Sequence, residues 1–223
     1  MKLTFPEFNF VVDTDLETKV NALVIENKSL FVRFVSDLFV QENGMDGKSV
    51  LSQNGKIINI GKHLEIHSQF VPFDINKKSL ITRLCSKMEN IALNGEEYEE
   101  TMELMMQLER FFLGLACKLD GEIVFQKLNI SSIIKSIGVA FENECDNICE
   151  KLLNYMELVS NYEQEKMFVF VNLRSYVEDE MLYQLFDTIL RKGYHVLMID
   201  NAEYEHLDNE KRIIIDSDLC EIL

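Results

Sequence analysis

Val196-Leu197-Met198-Ile199-Asp200 places a carboxylate after four apolar residues, as a buried strand does when it presents an acid to a nucleotide-bound Mg²⁺. Such a strand needs a phosphate loop as its partner. Gly44-Met45-Asp46-Gly47-Lys48-Ser49 ends in the right way, but the position five before Gly47 is Glu42 where the loop requires glycine. A carboxylate there repels phosphate, and the loop is too short to wrap one. Asp200 is therefore expected to be a solvated residue at a strand end. His63, Glu65 and His67 alternate, so on a strand they would share a face; that suits zinc, and equally a polar face on a half-exposed strand. Asp120-Gly121-Glu122 can turn two carboxylates toward one hard cation, although calcium takes six to eight oxygens. Cys145 and Cys149, spaced to share a helical face, fall on an apolar stripe and are expected to pack as thiols. No Ser-His-Asp order, nucleophile elbow or paired-histidine zinc helix appears, and the chain is read as non-catalytic.

The elements that must position these residues follow from periodicity. Residues 2–12 and 19–25 predict strands, and Leu30, Phe31, Phe34, Val35, Leu38 and Phe39 predict an amphipathic helix over 29–40. Asn54-Gly55 between Val50-Leu51 and Ile57-Ile58 predicts a hairpin. Asp74 or Asn76 is the expected cap of a helix striped by Ile81, Leu84, Cys85, Met88 and Ile91 and ended by Asn94-Gly95. A second helix follows, with an acidic first turn and an apolar face from Leu104 to Leu119, completing a helical hairpin. Residues 122–126 predict a strand, 130–137 a short helix and 143–163 a long one. Met167–Val171 and Val196–Ile199 are unbroken apolar runs flanking a helix that opens at Glu178 and closes at Arg191-Lys192-Gly193, a parallel β-α-β unit. Ile213–Ile215 adds a strand. The expected fold class is α/β, with a head formed by residues 1–73 and 164–223 and a mostly helical leg over 74–163.

Charge bears on the partner. Against 22 Lys and Arg stand 38 Asp and Glu, a formal net charge of −16 in 223 residues, which at first argues against nucleic acid. Its distribution argues otherwise. Residues 47–64 carry Lys48, Lys56 and Lys62, residues 75–88 carry Lys77, Lys78, Arg83 and Lys87, and residues 123–141 carry Lys127 and Lys135, all without one acid. Nineteen acids gather between Glu142 and Glu221. A solvated charged face gives such windows as readily as a surface turned toward a polyanion. Nothing approaches a membrane span, Pro6 and Glu7 interrupt the apolar core a secretory signal needs, and the five cysteines suit reduced thiols, so a cytoplasmic protein is expected.

Phe73-Asp74-Ile75-Asn76, Leu119-Asp120-Gly121-Glu122, Ile133-Ile134-Lys135-Ser136-Ile137-Gly138-Val139, Lys166-Met167-Phe168-Val169-Phe170-Val171-Asn172 and His195-Val196-Leu197-Met198-Ile199 follow one another in an order and spacing that resembles the Csn-two family of type II-A CRISPR spacer-acquisition proteins. The resemblance implies an α/β head related to P-loop NTPases but lacking a working phosphate loop, with a helical leg. It implies a non-enzymatic ring-shaped homotetramer that binds the ends of linear double-stranded DNA, supported by calcium, with the CRISPR integrase complex and RNA-guided nuclease as partners. On that likeness Asp120 and Glu122 match acids of the calcium segment, although Lys118 and Gly121 depart from the family pattern. Lys135 matches a DNA-facing lysine. Lys127, Lys77, Lys78, Arg83 and Lys87 join it as expected DNA contacts because they lie in the acid-free windows. Two other readings stand beside this one: a degenerate nucleotide-binding protein, and an acidic scaffold for other proteins.

Overall fold

A computed structural model of the chain describes residues 1–6, 11–15, 18–145 and 147–222. Its elements in chain order are β1 (Lys2–Thr4), β2 (Val11–Asp13), β3 (Val20–Ile25), α1 (Lys28–Glu42), β4 (Val50–Gln53), β5 (Lys56–Ile58), α2 (Ile60–His63) and β6 (Leu64–His67). Then come α3 (Lys78–Asn94), α4 (Tyr98–Ala116), α5 (Ile130–Ile137) and α6 (Ile148–Tyr162). The chain continues through β7 (Met167–Val171), a 3-10 turn (Leu173–Ser175), α7 (Asp179–Lys192), β8 (His195–Asp200), β9 (Glu210–Ile215) and β10 (Glu221–Ile222). It divides into two compact units, Met1–Ile75 with Glu144–Leu223, and Asn76–Asn143.

The first unit is a mixed α/β structure. Its six-stranded sheet has the order β10-β9-β3-β8-β7-β6, parallel throughout except for β10. Alternation along each strand sends Leu23, Ile25, Val169, Val171, Leu197 and Ile199 to one face, where they join α1 through Leu30, Phe34 and Leu38 and the smaller antiparallel sheet β2-β1-β4-β5 through Leu3 and Leu51. Phe168, Phe170 and Met198 point the other way, and Tyr155 of α6 meets Phe168 edge-on at 6.3 Å. Both faces are covered, so β3, β7 and β8 are buried along their whole length.

α6 belongs to this unit, whereas the predicted leg runs on to 163. The helix lies in the crossover between parallel β6 and β7, and Leu152, Tyr155, Met156 and Val159 are buried there. The predicted helix over 143–163 starts later, at Ile148; Cys145 precedes it and shares no helical face with Cys149, while Asp146 lies outside the described residues. The predicted strand 2–12 is two strands with residues 7–10 outside the described ones. Residues 122–126 form no strand: Ile123, Val124 and Phe125 are exposed and find no paired edge.

β9 starts three residues earlier than its apolar run predicts. Glu210 is 1% exposed, and its carboxylate accepts bonds from Arg174 Nη1 at 3.0 Å and Arg212 Nε at 2.6 Å. The two guanidiniums also donate to the carbonyls of Tyr204 and Glu205, fastening the β8–β9 connection over the sheet. Removing the acid takes the shared buried counter-charge from both, leaving Arg174 with half-exposed Asp179 at 3.3 Å and Arg212 with exposed Glu203 at 3.5 Å. Glu210→Ala is expected to lower unfolding free energy by about 3–5 kcal/mol, read from urea denaturation monitored by circular dichroism. A loss below about 1 kcal/mol would show that water replaces the carboxylate freely.

Candidate nucleic-acid interface

The second unit carries most of the predicted contact residues. α3 begins at Lys78 with Lys77 as its cap residue, whose side chain makes no capping bond. Neither expected cap, Asp74 nor Asn76, is the cap residue: Asn76 pairs with Phe141, through Nδ2 donating to the carbonyl at 2.9 Å and Oδ1 accepting from the amide at 2.7 Å. Before Ile91 and Leu93 emerge in the last turn, the exposed residues of α3 from Lys78 to Asn90 are Lys78, Ser79, Thr82, Arg83, Ser86, Lys87 and Asn90. Those are cations, hydroxyls and an amide, and the first acid of the helix is Glu89. Such a face offers hydrogen-bond donors to phosphate oxygens and no carboxylate to repel them.

α5 presents a second face of the same kind. Asn129 caps it by accepting from the Ser132 amide at 2.8 Å, and the eight residues contain Ser131, Ser132, Ser136 and exposed Lys135, with Ile134 inward. Lys135 in the last turn also complements the helix dipole. α3 packs against both α4 and α5. Lys127 is exposed on the extended segment before α5, in a groove with Glu109, Phe112, Leu113 and Phe125. α4 has the opposite character, with Glu99, Glu100, Glu103 and Glu109 on it and Met102, Leu104, Met106, Phe111, Leu113 and Leu115 exposed. The third acid-free window lies in the first unit, with Lys48 before β4, Lys56 in β5 and Lys62 in α2.

Asp120 and Glu122 are both exposed on the turn after α4, which requires Gly121 at φ 110°. They are hard oxygen donors, but two carboxylates are a fragment of a calcium shell. Among the described residues no group of three or more His, Cys, Asp or Glu side chains is placed to hold a metal ion. The same holds for the zinc reading of 63–67. His63 ends α2 and donates Nδ1 to the Glu165 carbonyl at 2.9 Å. Glu65 and His67 lie in β6, buried on the α6 side: Tyr155 donates its hydroxyl to Glu65 Oε1, and Lys166 Nζ donates to Oε2 at 2.9 Å. Burial and the Glu65 carboxylate push the Tyr155 phenol well up. Burial works against the Lys166 ammonium, yet Glu65 and Glu163 outweigh it and hold its pKa above the usual value.

The phosphate-loop candidate also takes a structural role. Gly44–Ser49 follows α1 and leads into β4, whereas a phosphate loop leads from a strand into a helix. Gln41 pins it by donating Nε2 to the Ser49 carbonyl at 2.9 Å and accepting the Ser49 amide at 3.1 Å. Gly47 is glycine because a Cβ there would fall 2.2 Å from Gln41 Cγ. Glu42 accepts the Ile66 amide at 2.8 Å, satisfying a backbone group of β6. One helix that does follow a parallel strand, α1, is closed at its N-terminus by Asn27, which accepts from the Leu30 amide at 3.0 Å and donates to the Ser217 carbonyl at 3.1 Å.

Asp200, expected in solvent, is 1% exposed at the end of β8, with Oδ1 lacking a hydrogen-bond partner. Burial raises its pKa from 3.8 to about 7, only partly offset by Arg174 and Arg212. The folded chain therefore holds a proton that the unfolded chain has released between about pH 4 and 7, and stability from this group falls as pH rises through that window. Asp200→Asn is expected to raise Tm more at pH 8 than at pH 4.5, measured by scanning fluorimetry. An equal change at both values would refute the buried charge. Burial likewise pushes the Cys149 thiol up to about 11.

The chain is similar to known proteins in three comparisons. The family model described as CRISPR-associated protein (Cas_Csn2) matches residues 41–219. The CRISPR-associated protein Csn2 of Streptococcus agalactiae is 21% identical over 221 residues, 98% of this chain and 96% of that protein. The crystal structure of Stu0660 of Streptococcus thermophilus superposes with a TM-score of 0.55 at 14% identity, covering 96% of this chain and 74% of that one, a likeness of fold.

Proposed function

We propose a function from one premise: this chain belongs to the CRISPR-associated Csn2 family, and membership implies a role in CRISPR spacer acquisition. In our reading the chain binds the ends of linear double-stranded DNA without regard to sequence and without catalysis, as a ring-shaped homotetramer that hands DNA to the CRISPR integrase. The observation that carries it is the acid-free, donor-rich surface of α5 and of α3 from Lys78 to Lys87 in a chain of net charge −16. Phosphate neutralisation needs such a surface to be local, not the whole protein to be basic. Lys127, Lys135, Lys77, Lys78, Arg83 and Lys87 are the proposed phosphate contacts. The exposed apolar side chains of α4 support self-association, because soluble monomers rarely leave a contiguous apolar face uncovered. A head derived from P-loop NTPases is part of the proposal; nucleotide turnover is not, since Asn27 occupies the α1 N-terminus and Glu42 is spent on β6.

The experiment is a gel-shift series with linear and closed-circular duplex of one sequence, with calcium or with chelator. The linear form is expected to shift and the circular form to stay free. Affinity should fall by about 10³ or more between about 50 and 200 mM salt if six or more phosphates are contacted. Lys127→Glu with Lys135→Glu should weaken binding at every salt concentration. Failure of both DNAs to shift at low salt with calcium present would overturn the reading in favour of an acidic protein scaffold. Calcium enters as an added ion: if it strengthens binding through the turn after α4, Asp120→Asn with Glu122→Gln abolishes that dependence.

A further inference from the structure

Asn76 stands in the Phe73-Asp74-Ile75-Asn76 segment, for which neither the helix caps nor the DNA contacts supply a reason. Its amide makes two bonds to a single residue 65 positions away, Phe141. A primary amide presents a donor and an acceptor side by side, as a neighbouring strand's peptide does, so it can satisfy the N–H and C=O of one residue together. Asp lacks the donor, and Ser has one oxygen for two partners. The residue is thus chosen for a clip. The clip joins particular ends. Asn76 immediately precedes Lys77 and the first turn of α3, while Phe141 lies just beyond Gly138, which ends α5. The end of α3 that bears Lys77 and Lys78 is therefore tied to the end of α5 that bears Lys135. The packing beneath is apolar, through Leu80 at 0% and Ile134 at 5% exposure, and apolar contact alone tolerates sliding and rotation of two helices. Directional bonds fix what the packing leaves loose.

We infer that Asn76 is a positioning residue for the DNA surface, holding Lys135 of α5 in place relative to the lysines of α3 so that they meet the phosphate backbone as one unit. The inference rests on the proposed DNA-binding reading. It is tested by a double-mutant cycle between Asn76→Ala and Lys135→Gln, with binding of a fluorescent linear duplex read by anisotropy. Hydrogen exchange at the Phe141 amide reports the clip itself. In the wild-type background Lys135→Gln is expected to cost about fivefold in affinity; in Asn76→Ala it should cost less than about twofold, because a displaced lysine has less to lose. Phe141 should lose protection in Asn76→Ala while the α4 amides keep theirs. Asn76→Ser, which can retain one of the two bonds, should fall between, and supplies the cycle if the alanine variant does not fold. Equal losses from Lys135→Gln in both backgrounds would overturn the positioning role and leave DNA binding standing. A Lys135→Gln variant that binds as wild type would overturn the assignment of Lys135 and the inference with it.

Discussion

A parallel sheet cannot leave either face in water, and this constraint organises the chain. β3, β7 and β8 are apolar on both sides, so one face takes α1 with the small antiparallel sheet and the other takes α6 and α7. Parallel strands also cannot be joined by a tight turn. The long path from β6 to β7 must contain a helix that returns over the sheet, and α6 is that helix. Residues 76–143 form a compact unit of their own, and it is there that acid-free windows fall on exposed residues of α3 and α5.

Most of the charged groups inside the head are paired. Glu65 has Tyr155 and Lys166; Glu210 has two guanidiniums; Glu42 holds a strand amide; Gln41 holds both backbone groups of Ser49. Glu65 looks like a metal ligand when the sequence is read alone, and here a structural bond accounts for it. Asp200 stays strained, held at the strand end with one oxygen unpartnered, and Glu163 Oε1, Arg174 Nε and Asn209 Oδ1 also lie buried without a hydrogen bond.

Legibility followed burial. β7 and β8 announce themselves because two-sided burial writes an unbroken apolar run, and α7 because its ends carry acids and bases in the order its dipole favours. The same apolar signal misleads at Ile123-Val124-Phe125, which pair with no strand among the described residues, and falls silent at Glu210-Lys211-Arg212, where the buried charge depends on Arg174, 36 residues away in sequence. Windows of charge are visible in one dimension, so the basic surfaces of α3 and α5 were legible. The clip at Asn76 was not. Before a helical stripe an asparagine reads as a cap, and only the placement of Phe141 shows that its amide is already engaged.

That pairing has a consequence for how the protein can change over evolutionary time. The chain enters and leaves residues 76–143 at two points linked by a pair of hydrogen bonds, so to the head the whole helical unit is equivalent to a short loop. Closing such a loop costs little more for a long insert than for a short one when its ends are held together. Helices can lengthen, shorten or change composition inside it without shifting the register of a single strand. Sequence drift in the insert and constancy of the sheet are thereby uncoupled.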